Sequence, residues 1–460
     1  MNLGLLNRRI APPVSVLPVR VCGAVILLCL AAAAATRLST DIGDLAERTP
    51  VYVAWTLAAG VAFTAASWLA LRRPPKHIAF IVLMAFAMRA VAFIPPPLTS
   101  SDVYRYVWDG QVQNAGVNPY RYLPADPALA PLRDTDTGTG PAAIYPNINR
   151  ADYAPTIYPP AAQAIFAVTT RLWPGIWGMK ATMLVFDLLA AGVVLKLLDA
   201  AGHPRSRVLL YAWNPLVVLE FAGGGHIDAA AAGLSALALW AAIRLRPSWA
   251  GAALAAAILC KLLPAALVPA LWRRWELRLP VACGCVMAAG YGWYSGAGWR
   301  VLGYLPGYAS EEGLNSGSGF FPLRAFALLG PLPGWAGTAY MAVAAAGLLA
   351  AAGAVALRAP FPRDRAARVF VIAQGALWLS TATLVALSPH YPWYYTAVIV
   401  PSVLAPNPGV LWLTLAAPAL YLDHGLGNVA MPAIVFVPFL ILLARGKWRR
   451  EPPAPSAERG

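Results

Sequence analysis

Twelve apolar runs, separated by short arginine-bearing turns, constrain this chain more than any other feature. They lie near 17–36, 51–71, 77–95, 176–198, 207–222, 226–243, 278–295, 335–357, 367–387, 392–406, 409–422 and 429–446. About 20 apolar residues in a helix cross a ~30 Å hydrocarbon layer. Lipid offers the backbone no hydrogen-bond partner, so such runs must be helices or strands of a closed barrel. Their unbroken apolar character is helical, and an all-α polytopic membrane protein is expected. Composition agrees, with 59% hydrophobic and 12% charged residues and a mean hydropathy of +0.60.

The net charge of +15 would suit a nucleic-acid binder only if a polar surface displayed it. Here the arginines cluster in HPRSR (203–207), RLRPS (244–248), WRRWELR (272–278), RAPFPRDRAAR (358–368) and the two chain ends. That is the pattern of cytoplasmic turns in a membrane protein, and nucleic acid is excluded as a partner. Arg8, Arg9 and Arg20 ahead of an alanine-rich run resemble a signal peptide, although the further spans favour an uncleaved first helix. The five cysteines, Cys22, Cys29, Cys260, Cys283 and Cys285, all fall in apolar runs. Core packing accounts for them better than disulfides or zinc.

Residues 157–173 and 249–271 disturb the parity of this topology. Each is apolar enough to cross, yet crossing would place HPRSR and RLRPS outside. Either both dip and return or the block between them is inverted; charge favours the dip, and 12–14 membrane segments are expected in a single integral domain over 1–450, with a disordered tail at 451–460. Lys261, Pro264 and Pro269 should break the second segment beside a cavity.

With the amino terminus inside, the polar stretch 96–160 is outside. It holds six aspartates, four arginines, seven tyrosines and a tryptophan. A loop of that length is commonly functional or disordered, and its aromatic content argues against disorder. Thr99, Ser100 and Ser101 can cap a short helix from Asp102, with Gly110 or Gly116 at its end. On it Asp102, Arg105, Tyr106 and Asp109 share one face. At ~1.5 Å per residue the two carboxylates stand about 10 Å apart, too far for a shared metal or a tight dyad. Asp102, beside the membrane, is the better base, and Asp109 is equally suited to orienting its neighbours. A plain solvated helix face is the alternative.

Three further outer edges carry costly polar groups. Glu220, His226 and Asp228 flank a Gly-Gly-Gly break and suit either sugar hydroxyls or, less well, a divalent metal. His390 sits in LSPHYPWYY (387–395), otherwise an interfacial aromatic belt. In the second outer loop, 296–324, Arg300, Asn315 and Arg324 could meet an anionic head group, or Arg324 could snorkel. No Walker or Rossmann fingerprint is present, so an outward-facing enzyme would draw an activated substrate from the membrane.

DVYRYVWDGQVQNAGVNPYRYLPADP (102–127), then TIYPP (156–160), NPLVVLE (214–220), GHID (225–228), KLLPAALVPAL (261–271) and HYPWYY (390–395) together resemble the GT-C superfamily of polytopic glycosyltransferases. The closest resemblance is to bacterial α-mannosyltransferases of glycosyltransferase family 87 and its relatives. It implies a GT-C-like bundle in the cytoplasmic membrane, with its site on the extracytoplasmic side. It also implies a polyprenyl-phosphate sugar donor, a glycolipid or glycan acceptor, and no required cofactor. The superfamily's catalytic acid in the first outer loop carries over to Asp102, and an acid at the start of a later span matches Asp228. The compact DxD of older members is missing; DTD at 134–136 lies apart from the aromatic core and is assigned no metal.

The implied reaction makes Asp102 the general base, with Arg105, Lys261, Arg324 and His390 as positive charge for a phosphate leaving group. Tyr106, Asp109, Tyr158, Glu220, His226 and Asp228 complete the expected substrate surroundings. A transporter or flippase of a lipid-linked sugar is the competing class. An inverted repeat would favour it, and the sequence shows none.

Overall fold

The computed structural model describes residues 17–39, 44–136, 140–358, 360–423 and 428–445. The arginines Arg8 and Arg9 and the expected tail at 451–460 lie outside them. Among the described residues all regular structure is helical, and the chain is an all-α polytopic membrane protein.

Helix α1 (Leu17–Leu38) packs against both α2 (Leu45–Arg72) and α3 (Ile78–Phe93). Asp44 starts α2 by accepting from the Ala46 and Glu47 N–H groups at 2.9 and 3.3 Å. α4 (Asp102–Asn114) and α5 (Pro160–Leu172) follow, then α6 (Ile176–Ala200), α7 (Asp228–Ile243), α8 (Pro247–Ile258), α9 (Arg278–Trp293), α10 (Ala336–Ala356), α11 (Arg365–Leu387), α12 (Pro408–Ala416) and α13 (Ala430–Arg445).

Among the described residues, five helices are long and apolar enough to cross a membrane: α1 from Pro18, α2, α6, α10 and α11. The pair Pro215–Gly223 and α7, bent by 118°, would make a sixth. Several of the other apolar runs form shorter apolar helices, among them Ile78–Phe93, Pro247–Ile258 and Ala430–Arg445, and some are interrupted. The run 207–222 contains a π-helical turn over Val218–Gly223, and Gly225 then adopts φ 71°, a left-handed conformation that costs a glycine little. The run 392–406 begins as a 3-10 helix, Pro392–Val398, and 409–422 ends as one, Ala417–Leu422.

The two parity-breaking segments meet. α8 stops at Ile258, three residues before Lys261, and a 3-10 turn resumes at Leu263–Leu267. α5 begins opposite this break, and its Ala161 and Ala162 N–H groups donate to the Leu259 carbonyl at 3.0 and 3.1 Å. The orphan donors of one helix start thus satisfy the orphan carbonyl of another helix end. This is the condition for irregular backbone at membrane depth.

Buried charge ties the long helices together. Arg89 of α3 forms a bidentate pair with Asp187 of α6 at 2.6 and 3.0 Å, and the Tyr211 hydroxyl donates to the same carboxylate at 2.9 Å. Arg37 at the end of α1 donates to the carbonyls of Ala92, Pro95, Pro96 and Gly223. Lys180 of α6 donates to the carbonyls of Phe93 and Pro95 at 2.5 and 2.6 Å. Both cations cap the carbonyl end of α3. They thereby fix the chain that leads to α4.

Candidate functional site

α4 and α5 form a clasped pair at the mouth of the bundle. Gly110 does not end α4; it lies where α5 crosses, and a Cβ there would stand 2.4 Å from both the Phe166 carbonyl and the Thr170 hydroxyl. The helix ends instead at Asn114, before Gly116 at φ 79°. At its start Ser101 makes no side-chain cap, and the Ser100 hydroxyl accepts from the Asp102 N–H at 3.2 Å.

The predicted acid-base face divides in two. Arg105 Nε binds Asp109 Oδ1 at 2.8 Å, and Arg105 also donates to the Ala154 carbonyl at 3.0 Å. Asp109 Oδ2 accepts from Thr156 Oγ1 at 2.5 Å and from Gln163 Nε2 at 2.9 Å. All four side chains are buried, and they lock the returning loop and α5 onto α4. Asp109 thus holds its neighbours in place. Tyr106 is fully buried, stacked on Phe166 with centroids 4.5 Å apart. Asp102, one turn away, faces a different environment.

That environment is a cavity of about 770 Å³ between α4, the 147–159 loop, the break after α8, the 304–319 loop, the end of α11 and the 388–394 turn. Asp102, Arg105, Tyr158, Lys261 and His390 line it. Tyr106, Asp109, Glu220, His226, Asp228 and Arg324 do not. Burial raises the Asp102 carboxyl above its ordinary value, Lys261 and Arg150 draw it back, and Asp228 adds to the rise; Tyr158 hydrogen-bonds it.

Glu220, His226 and Asp228 stand behind the cavity wall as two separate contacts. Lys261 Nζ lies 3.0 Å from Asp228 Oδ2 and 4.5 Å from the Tyr394 ring centroid. His226 lies between Glu220 and Asp102, with Nε2 3.3 Å from Glu220 Oε2 and Nδ1 3.9 Å from Asp102 Oδ2. The Tyr421 hydroxyl contacts both Glu220 oxygens at 2.9 and 3.0 Å. With Asp228 turned to Lys261 and Glu220 to Tyr421, the trio does not converge. No group of three or more His, Cys, Asp or Glu among the described residues is arranged to hold a metal ion. In the DTD stretch, Asp136 Oδ2 accepts from the Ile144 and Tyr145 N–H groups at 2.8 and 2.7 Å, a loop-closing role.

Arg324 is buried against Asp423 at 3.1 Å, outside the cavity lining. His390 bridges Glu312 Oε2 at 3.1 Å and the Gly319 carbonyl at 3.2 Å, and so ties the 296–324 loop to the cavity rim. The sequence reading missed Arg150, which lines the cavity, binds Glu311 at 2.7 Å and hydrogen-bonds Tyr391. Its left-handed backbone, φ 58°, is visible only in the fold.

The cavity is chemically mixed. Lys261 and Arg150 act on Asp102, and Leu263, Ala265, Ala266, Leu384 and Leu387 are among the apolar residues of the same lining. Such a site suits an amphiphile with an anionic head and an apolar tail. Residues 19–276 match a family model described as alpha-(1->6)-mannopyranosyltransferase, N-terminal domain. Neither a curated protein nor a solved structure gives a significant match.

Proposed function

The chain belongs to the alpha-(1->6)-mannopyranosyltransferase family, and from that premise we propose that it moves mannose from a polyprenyl-phosphate donor to a hydroxyl of a glycolipid or glycan acceptor. Mannosyl transfer follows from the family. The donor, the stereochemical course and the side of the membrane are the proposal.

The observation that carries it is the half-buried Asp102 carboxyl, drawn toward Lys261 and Arg150 in a cavity whose lining is otherwise largely apolar. A prenyl chain suits the apolar residues near Leu263 and Leu384. The phosphate then falls toward Lys261 and Arg150. Asp102 removes the proton of the acceptor hydroxyl as that oxygen attacks the anomeric carbon. A positioned carboxylate base contributes roughly 10²–10⁴-fold. The departing phosphodiester becomes a monoester and needs positive charge more than a proton. Lys261 and Arg150 are the cations best placed to supply it: both line the cavity and act on Asp102 while also paired with Asp228 and Glu311, whereas Arg105 is turned to Asp109 and the Ala154 carbonyl and Arg324 lies outside the lining.

One displacement inverts the anomeric centre. An α-linked product therefore requires a β-linked donor. The acidic, aromatic 96–160 insert opposite the arginine-rich turns supports an extracytoplasmic site in the cytoplasmic membrane.

The experiment is mannosyl transfer by the purified full-length protein from a β-mannosyl phosphoryl polyprenol to a mannoside acceptor. The native protein is expected to form an α-mannoside, and Asp102→Asn is expected to form none. Turnover by Asp102→Asn at the native rate overturns the assignment of the base. A product made only from a nucleotide sugar overturns the donor.

A further inference from the structure

His226 is the buried group that this reaction leaves unused. Its side chain is 1% exposed, it is absent from the cavity lining, and neither ring nitrogen completes a hydrogen bond. Burying such a ring without partners is costly. Its surroundings explain the arrangement. Glu220 Oε2 lies 3.3 Å from Nε2, Asp102 Oδ2 lies 3.9 Å from Nδ1, and the Trp393 ring stacks on the imidazole with centroids 4.2 Å apart.

We propose that His226 takes the proton from Asp102 after each transfer, with Glu220 selecting the ring tautomer that can accept it. This rests on the reading of Asp102 as the base. A neutral imidazole has one N–H and one lone pair. Glu220 is held by the Tyr421 hydroxyl, and the relay requires its oxygen beside Nε2 to be ionised during transfer, when it can only accept. The ring proton therefore belongs on Nε2, and Nδ1 presents a lone pair to Asp102. While Asp102 is ionised, two acceptors face each other, and the 3.9 Å separation follows. Once protonated, Asp102 becomes a donor. A small rotation of its carboxyl then closes the gap to the ~2.8 Å of a working hydrogen bond.

The atoms balance without any further reactant. The acceptor O–H bond breaks as the new C1–O bond forms, and the old C1–O bond leaves with its electron pair on phosphate. The proton rests first on Asp102 Oδ2 and then on His226 Nδ1. The resulting imidazolium lies between Glu220 and Asp102 and against the Trp393 face, contacts that offset part of what burial and the nearby Lys261 charge cost it. Nothing is oxidised or reduced. Asp102 returns to its ionised state beside the product, which removes the acid that would drive the reverse reaction. When products leave, the proton returns through Asp102 to the opened cavity.

Other charges face this pair. Lys261 and Asp228 approach from the break after α8 and the start of α7, and Arg37 stands near Glu220. Lys261 is committed to Asp228 at 3.0 Å. His226 acts through Asp102, so it is a positioning residue and not one that touches substrate.

The test is chemical rescue in the full-length protein, using the β-mannosyl phosphoryl polyprenol assay. His226→Ala should lose turnover and regain at least about tenfold with imidazole but not with pyrazole, which has the same shape and little basicity. Equal rescue by both shows that the ring only fills space, and no rescue shows that it carries no proton; either result overturns the relay. Should His226→Ala fail to fold, His226→Gln decides. A fall in kcat of about tenfold or more, with donor KM held within about threefold, supports the relay; a smaller fall, or a loss carried by KM, overturns it. Asp102→Asn separates the two readings. If it retains turnover, the base and the relay both fail. If it is inactive while rescue is absent or unselective, only the relay fails.

Discussion

Lys261 Nζ and Asp228 Oδ2 stand 3.0 Å apart, joining the break after α8 to the first residue of α7. Both side chains are largely buried, and Lys261 also faces the Tyr394 ring. The pair therefore shapes the cavity wall and supplies charge to it. Lys261→Met is expected to destabilise the fold by about 3–5 kcal/mol, because it leaves Asp228 buried without a partner. Lys261→Met with Asp228→Leu should recover most of that stability without recovering transfer. Unfolding in detergent and mannosyl transfer, measured on the same samples, check the contrast. Recovery of both properties would show that the lysine only neutralises Asp228.

Asp102 gives a pH dependence whose sign is fixed by its burial. Its carboxyl is raised above the ordinary value of 3.8, chiefly by loss of water. A base works ionised, so kcat/KM should rise with pH along an acid limb displaced upward from that of an ordinary aspartate. The stability effect runs the other way. The folded chain holds this proton more tightly than the unfolded chain, so ionisation costs stability as pH rises above 3.8. Asp102→Asn is therefore expected to unfold at a higher temperature than the native protein at neutral pH while losing turnover, and the two should converge in acid. Thermal unfolding at several pH values checks this.

Much of this was legible in the sequence because it rests on apolar length and charge. The start of α4 at Asp102 and the break beside Lys261 both followed from helix chemistry. What was hidden depends on pairing across long separations. Arg105 looked free for substrate because its partner set includes Ala154, Thr156 and Gln163 through Asp109. Arg324 looked free because Asp423 is 99 residues away. Arg37 and Lys180 were invisible because they cap carbonyls, which carry no sequence signature. Gly110 read as a helix end because a glycine's need for space cannot be seen before its neighbour is known.

Gly110→Ala tests that close approach. The added Cβ would meet the Phe166 backbone and the Thr170 hydroxyl at 2.4 Å. A backbone carbonyl cannot swing aside, so α5 must shift. Overpacking of this kind costs about 1–3 kcal/mol. The same shift strains the Asp109 contacts to Thr156 and Gln163, and turnover is expected to fall along with stability. Unfolding midpoints and transfer rates check both; an unchanged midpoint would mean that α4 and α5 are more loosely joined than their geometry shows.

Arg150 places a left-handed backbone and a cation at the same point. Its φ of 58° is unusual for a residue with a side chain, and strain of this kind typically costs about 1–3 kcal/mol and collects at functional sites. Glu311 at 2.7 Å and Tyr391 orient the guanidinium at the cavity edge. Arg150→Asn should relieve the backbone, because asparagine tolerates this conformation, while removing the charge. The expected result is stability near or above the native value with a donor KM raised about tenfold or more, the weight of one charge-assisted contact to phosphate. Arg150→Lys keeps the charge and loses the fork, so its KM should lie between the two. A donor KM unchanged in Arg150→Asn would assign the arginine to loop structure and leave Lys261 as the cation that meets the phosphate.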